Sequence, residues 1–310
     1  MKLSIVTTLY LSSPYIKEFY TRCVESAKLI TDDYEIIFVN DGSPDDSLSE
    51  VKQIADIDKK VVIVNLSRNF GHHKAIMTGL EYSRGDRVFL LDSDLEEKPE
   101  WLTEFNHRIE NEKCDVIYGV QEKRKGEWFE RVSGDIYYRI INLFIEHPKD
   151  ITTARLMTKQ YVENLVRHQE REVVFSGLCL LTGFEQKSAV VKKTSKGSST
   201  YSLRRKLSHL INTVTSFSSK PLIGIFFTGI TISAITFLYA FSLIVNRLLF
   251  SAPVEGWTSI MVSVWLLGGI IISFIGLIGI YLSKIFTEVK RRPYTIVKEV
   301  VNGTLNRVDT

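Results

Sequence analysis

Two stretches of this chain carry no charged residue: Leu222–Val245, 24 residues, and Thr258–Ser283, 26 residues. A helix of 24 residues is about 36 Å long, against about 30 Å of bilayer hydrocarbon. Runs this long and this apolar predict two transmembrane helices, about 222–245 and 258–283, rather than core helices of a soluble fold. Gly224, Gly229, Gly268, Gly269, Gly276 and Gly279 suit close helix packing in lipid. The joining segment Asn246–Trp257 carries only Arg247 and Glu255 as charges. The outer flanks are basic, with Arg204, Arg205, Lys206 and Lys220 before and Lys284, Lys290, Arg291, Arg292 and Lys298 after. The positive-inside rule then puts both flanks and the whole N-terminal portion in the cytoplasm.

The remaining length suffices for one sizeable α/β domain, expected over 1–200. Net charge is +3, so the chain is no polyelectrolyte. Cys23, Cys114 and Cys179 are scattered singly, which speaks against a disulfide framework or a paired-cysteine metal site and for small apolar filler. The N-terminal run Leu3–Leu9 is too short for a signal peptide and reads as a first strand.

Leu3–Leu9, Glu35–Val39, Val61–Leu66, Val88–Leu91 and Val116–Val120 read as strands, with helical spacing between them at Tyr15, Ile16, Phe19, Tyr20, Cys23, Val24 and Ala27. This alternation predicts a mostly parallel sheet with helices on both faces. Ligands of such sheets bind beyond the carboxyl ends of the strands. That rule lines up Thr7–Tyr10, Asn40–Ser43, Ser67–Gly71 and Asp92–Glu96 along one crevice, with Thr8 and Tyr10 as contacts for a nucleotide. Lys192–Ser202 reads as a polar loop. Residues 201–220 read as an amphipathic juxtamembrane helix: Leu203, Leu207, Leu210, Ile211, Val214 and Phe217 share one face, and Arg204, Arg205 and His209 the other.

Asp92-Ser93-Asp94 ends the apolar run Val88–Leu91. Two carboxylates so placed make a hard-cation site, for Mg²⁺ or Mn²⁺ held jointly with phosphate oxygens. Asn40-Asp41-Gly42-Ser43 is either a plain turn or a site where Asp41 accepts a hydrogen bond from a nucleobase while Gly42 allows close backbone approach. Arg68 is a candidate for nucleotide recognition or for diphosphate charge. Lys123, Arg124, Lys125 and Arg131, interleaved with Trp128 and Phe129, form a basic cluster. Beside a membrane anchor it fits a lipid phosphate better than nucleic acid, and no nucleic-acid partner is expected.

Together these segments resemble the family 2 glycosyltransferases of the GT-A fold, and more narrowly the polyprenyl-phosphate glycosyltransferases: dolichyl-phosphate mannose synthase and the bactoprenol glucosyltransferases of O-antigen modification. The matching stretches are SIVTTLY, VNDGSPDDS, LSRNFGHHKAIMTGL, LLDSDLEEKPE, the Arg124/Arg131 region, ARLM, and the Phe217-to-Pro293 hairpin with its KRRPY tail. The resemblance implies a Rossmann-like GT-A domain, then the juxtamembrane helix, a transmembrane hairpin over 221–283 and a basic cytoplasmic tail over 284–310. It implies that Asp41, Thr8, Tyr10, Arg68, Asp92 and Ser93 meet a UDP-sugar, and that Asp92, Asp94 and Glu96 hold the metal. It further implies that Lys123, Arg124 and Arg131 hold the phosphate of undecaprenyl phosphate in a lipid bilayer, and that the chain assembles as a homotetramer.

The expected reaction moves a glucose or related hexose onto the lipid phosphate with inversion, for lipopolysaccharide or other envelope glycans. Asp94, Arg124 and Arg131 are its expected catalytic residues. The chain departs from the family pattern in four places: Thr8 and Ser12 replace a proline and a glutamate, DLQDPPE becomes DLEEKPE, Gln121 stands where an arginine often precedes the basic cluster, and DFRL becomes Thr153-Ala154-Arg155-Leu156. The last removes a carboxylate proposed to be catalytic, for which Asp150 is a possible substitute. A phosphate monoester has a second pKa near 6. As a dianion it needs charge neutralisation and alignment more than a general base. The alternatives are transfer to a lipid-linked sugar, or a non-catalytic subunit that retains UDP-sugar affinity. A processive polysaccharide synthase is disfavoured, because no tryptophan sits in a Gln-x-x-Arg-Trp motif.

Overall fold

A computed structural model describes residues 1–122, 150–170, 175–193, 214–215, 218–250 and 256–303. Its first unit is an α/β sandwich. The strands are β1 (Leu3–Leu9), β2 (Tyr34–Asn40), β3 (Val61–Leu66), β4 (Arg87–Leu90), β5 (Val116–Gln121), β6 (Ile151–Thr158), β7 (Gln186–Val191) and β8 (Val297–Val301). They form one sheet in the order β7-β5-β6-β4-β1-β2-β3-β8. The centre, β4-β1-β2-β3, is parallel; β6 runs antiparallel between β4 and β5, β7 is parallel to β5, and β8 is antiparallel to β3. Every residue of β1, β2 and β3 is buried. Strands covered on both faces read as continuous apolar runs, which is why these three are plain in the sequence.

The helices of this unit are α1 (Ile16–Lys28), α2 (Ser47–Ile57), α3 (His72–Glu81), α4 (Trp101–Glu112), α5 (Lys159–Leu165) and α6 (Phe175–Leu181). Phe19 of α1, Val51 of α2 and Phe105 of α4 pack with Ile5, Phe38 and Phe89 in one core layer. Phe19 meets Phe38 and Phe105 meets Phe89 edge to face, at centroid distances of 6.0 and 6.1 Å. α3 covers the other face, so closely that a Cβ on Gly79 would lie 2.6 Å from Val6 and 2.7 Å from Val39. The three cysteines are free and buried.

β8 belongs to the segment read from sequence as a basic tail. Instead of trailing, the chain returns to the sheet and pairs Ile63 with Val301 and Asn65 with Glu299. Lys52 bonds Glu299 at 2.7 Å, the Asn302 amide donates to the Ala55 and Val61 carbonyls, and Tyr294 donates to Glu81.

The second unit holds two long helices, α7 (Lys220–Phe250) and α8 (Trp257–Val289). Their segments Lys220–Tyr239 and Ser263–Val289 are long and apolar enough to cross a membrane. Tyr281, late in α8, donates a 2.7 Å hydrogen bond to the Ser218 carbonyl just before α7, so the start of one helix lies by the end of the other. Phe237, Trp265 and Ile272 are each more than two-thirds exposed. Such an apolar surface calls for a lipid or protein covering. The juxtamembrane helix expected over 201–220 lies almost wholly outside the described residues, as do Lys123, Arg124 and Arg131.

Candidate active site

The parallel core strands all point their carboxyl ends to one edge. β6 is antiparallel to β4, so its beginning, Ile151–Thr153, reaches that same edge. β5 runs antiparallel to β6 and β7 parallel to β5, so the end of β7 arrives there too. The crevice therefore collects residues from six strands, two of which the sequence did not reveal.

At the end of β2, Asp41 is buried, and its two carboxylate oxygens accept the backbone N–H groups of Phe70 (2.7 Å) and Gly71 (3.0 Å). Burial raises its pKa, opposed by those two amides. Asp41 thus fixes the loop that carries Arg68, whose guanidinium stacks on Phe70 at 4.3 Å. Gly42 has φ +61, and a Cβ there would lie 2.5 Å from the Arg68 carbonyl carbon and the Asn69 nitrogen. Gly42→Ala is therefore expected to cost about 1–3 kcal/mol and to displace the Arg68 loop. The melting temperature would fall.

Asp45 ties this loop to the one after β1. It accepts the hydroxyls of Ser43 and Ser47 and the backbone N–H groups of Ser13 and Ser47. Burial raises its pKa, but these bonds outweigh it and bring the pKa down to about 2. A folded-state value below the unfolded one adds stability at pH values above about 4, and that stability is lost as pH falls toward 2. Discounted for solvent screening, the gain is on the order of 1 kcal/mol. The stability difference between wild type and Asp45→Asn in urea titrations should shrink between pH 6 and pH 2.5.

Beyond β4 the backbone turns through Leu95, a buried residue with φ +64. A left-handed leucine costs about 1–2 kcal/mol. The turn lets Asp94 Oδ1 accept the Glu96 N–H at 2.9 Å. Ser93 faces inward and donates to the Thr8 carbonyl or the Ser12 hydroxyl, at 2.9 and 3.0 Å, so it anchors the acidic pair to β1. Asp92 and Asp94 are partly buried at the crevice. Asp92 Oδ1 has no hydrogen-bond partner among the described residues; His72 Nε2 lies 3.4 Å from it, and burial lowers the pKa of that imidazole. His72 opens α3 and also touches Thr8 Oγ1 through Nδ1 at 3.0 Å. Tyr10 is half-exposed at the mouth.

The residue that organises this corner is Glu97, which is fully buried. Oε2 accepts the Asp92 N–H at 3.3 Å, while Oε1 accepts the Thr153 N–H at 2.9 Å and lies 2.9 Å from Lys193 Nζ. Burial raises the pKa of Asp92 and of Glu97, and Lys193 pulls both down. A carboxylate thus lies against Thr153, where the resemblance expects an aspartate of its own. Asp150 stands at the head of β6, its carbonyl accepting the Gln121 N–H at 3.0 Å.

An orphaned buried carboxylate oxygen beside a second carboxylate fits a hard divalent cation. Among the described residues, no three His, Cys, Asp or Glu side chains converge as a cage, so Asp92, Asp94 and Glu96 do not form one. A cation at this corner would take only part of its ligands from protein, the pattern of Mg²⁺ shared with a phosphate.

Sequence reasoning passed over Glu97, Lys193 and His72. Lys193 stands two residues past β7; had QKSAVV been read as a strand, the carboxyl-end rule would have drawn Lys193 into the crevice. The sequence profile described as Glycosyl transferase family 2 matches residues 4–166. A relative from Mycobacterium tuberculosis, named as a glycosyltransferase without a stated substrate, is 48% identical over 98% of this chain and 90% of its own length. The bactoprenol glucosyl transferase derived from prophage SfII of Shigella flexneri is 30% identical over 98% of this chain and 99% of its own. The bactoprenol glucosyl transferase of Shigella phage SfV is 30% identical over 96% of this chain and 98% of its own.

Proposed function

This chain belongs to glycosyl transferase family 2 and is a glycosyltransferase, and we propose that it transfers one hexose from a UDP-sugar to undecaprenyl phosphate at the cytoplasmic face of a bacterial membrane. The observation that carries this reading is the reach of the similarity to bactoprenol glucosyl transferases. It extends over 98% of the chain, through the α/β unit and both apolar helices alike.

In this reading Asp41 and Arg68 receive the nucleotide, with Thr8 and Tyr10 at the mouth. Asp92 and Asp94 would hold Mg²⁺ or Mn²⁺ together with the donor diphosphate, where such an ion supplies charge neutralisation to the leaving group. The acceptor phosphate, a dianion near neutral pH, attacks the anomeric carbon in line and inverts it. Lys123, Arg124 and Arg131 would align that phosphate. Glu97, against Thr153, gives this corner a carboxylate despite the missing aspartate. That favours a working enzyme over a non-catalytic UDP-sugar-binding subunit.

The return of the chain into the sheet as β8 supports a paired crossing. The polypeptide leaves the α/β unit before α7 and rejoins it after α8, so both outer helix ends connect to one folded unit. In this reading the chain crosses the membrane an even number of times, and the basic flanks favour the cytoplasm for that unit. A homotetramer is the assembly expected from the bactoprenol enzymes.

The test is a donor panel. Purified full-length protein in detergent with Mn²⁺ should release UDP from one UDP-hexose, and only when undecaprenyl phosphate is present. Release that needs a lipid-linked sugar instead would move the acceptor assignment to that class.

A further inference from the structure

The acidic corner contains a cation that the donor reading does not yet use. Lys193 Nζ lies 2.9 Å from Glu97 Oε1; the Glu97 side chain is fully buried, while that of Lys193 keeps 22% of its surface exposed. The topology holds the lysine there, because β7 delivers its carboxyl end to the edge where Asp92 and Asp94 stand. Lys193 interacts electrostatically with all three carboxylates, Glu97, Asp92 and Asp94.

A buried ion pair is a poor device for stability, because desolvating two charges offsets most of their attraction. A well-packed apolar pair would hold β7 to the loop after β4 at least as well. The chemistry of the two partners is uneven. Glu97 is fixed by two backbone N–H groups, from Asp92 and Thr153. Lys193 is a compact ammonium on a flexible stem, able to turn its head to another anion with no change of backbone. Its exposed fraction faces solvent, so an incoming anion can reach it.

We propose that Lys193 is a ligand of the donor's diphosphate, parked on Glu97 while the donor is absent. The inference rests on the nucleotide-sugar reading above. A diphosphate that enters beside Asp92 and Asp94 brings more negative charge to a corner already rich in carboxylates. Among the described residues, Lys193 is a cation that interacts with both Asp92 and Asp94, where that anion would sit. Loss of a charge-assisted contact of this kind corresponds to roughly tenfold or more in affinity.

The test is calorimetric titration of full-length protein in detergent with UDP and with UMP, each with Mn²⁺. Lys193→Met should weaken UDP at least tenfold and UMP far less, collapsing the preference for the diphosphate; Lys193→Arg should restore part of it. Lys193→Met strands the Glu97 carboxylate and can fail to fold, so the pair Glu97→Gln with Lys193→Met, which removes both charges, decides the matter. That double variant should still bind UDP at least tenfold more weakly than wild type. Recovery of wild-type UDP affinity in the double variant would reduce Lys193 to a counter-ion for Glu97 and overturn the inference. Unchanged UDP affinity in Lys193→Met would overturn it too, leaving the donor reading intact. Wild-type protein that binds no UDP overturns both.

Discussion

Asp94→Ala is expected to lower sugar transfer by roughly 10²–10³-fold, the range for removal of one preorganised group that stabilises charge developing in the transition state. The residue stands partly buried on the turn after β4, next to Asp92, whose Oδ1 is buried without a hydrogen-bond partner among the described residues. Leu95 holds that turn in a left-handed conformation. The fold thus keeps a strained turn beside two adjacent carboxylates at the crevice. The core below the loop is built from Phe89, Phe105 and Leu91, none of which contributes to the acidic pair. The variant should therefore melt close to wild type, while initial rates with labelled UDP-sugar collapse and UDP no longer binds more tightly on adding Mn²⁺. A variant that keeps its rate would remove Asp94 from the site.

Ending the chain after Arg292 is the second large effect. It deletes β8, the edge strand paired to β3, together with the Lys52–Glu299 ion pair and the Asn302 amide bonds to Ala55 and Val61. Val301, which packs on the main core cluster, goes as well. At about 0.5–1.5 kcal/mol per hydrogen bond, with valine burial added, the loss is on the order of 5 kcal/mol. That is a large share of the 5–15 kcal/mol typical of a whole domain. For a unit of this size it corresponds to a drop of about 10–20 °C in Tm. It also bares the edge of β3, a template for unwanted pairing. Melting followed by tryptophan fluorescence, with aggregation followed by light scattering, checks both. An unchanged Tm would mean that β8 adds nothing to the sheet.

The part of the fold legible in the sequence is the part buried on both faces. β1 and β3 run where the apolar stretches Leu3–Leu9 and Val61–Leu66 predict them, and β2, β4 and β5 differ by a residue or two. β6, β7 and β8 were missed for a common physical reason. QKSAVV and VKEVV are partly exposed strands, and ITTARLMT, though mostly buried, is broken by threonines and an arginine; in all three the polar residues dilute any periodic signal. The site follows the same division. Asp41, Arg68, Asp92 and Asp94 stand directly after legible strands, and the carboxyl-end rule gathers them. Glu97, Lys193 and Thr153 meet only because β6 is inserted antiparallel and β7 follows β5, an ordering no local pattern records. Glu97 differs from its neighbour Glu96 in the sequence by nothing but position, and in the fold by being fully buried.

The most direct measurement is the mass of the lipid product. Full-length protein in vesicles of bacterial phospholipid, supplied with undecaprenyl phosphate, Mn²⁺ and its UDP-hexose, should convert the lipid to a species heavier by one hexose less one water. The phosphorus should change from a monoester to a single phosphodiester by ³¹P spectroscopy. Undecaprenyl phosphate left unmodified while a lipid-linked sugar or a soluble acceptor gains the hexose would contradict the account.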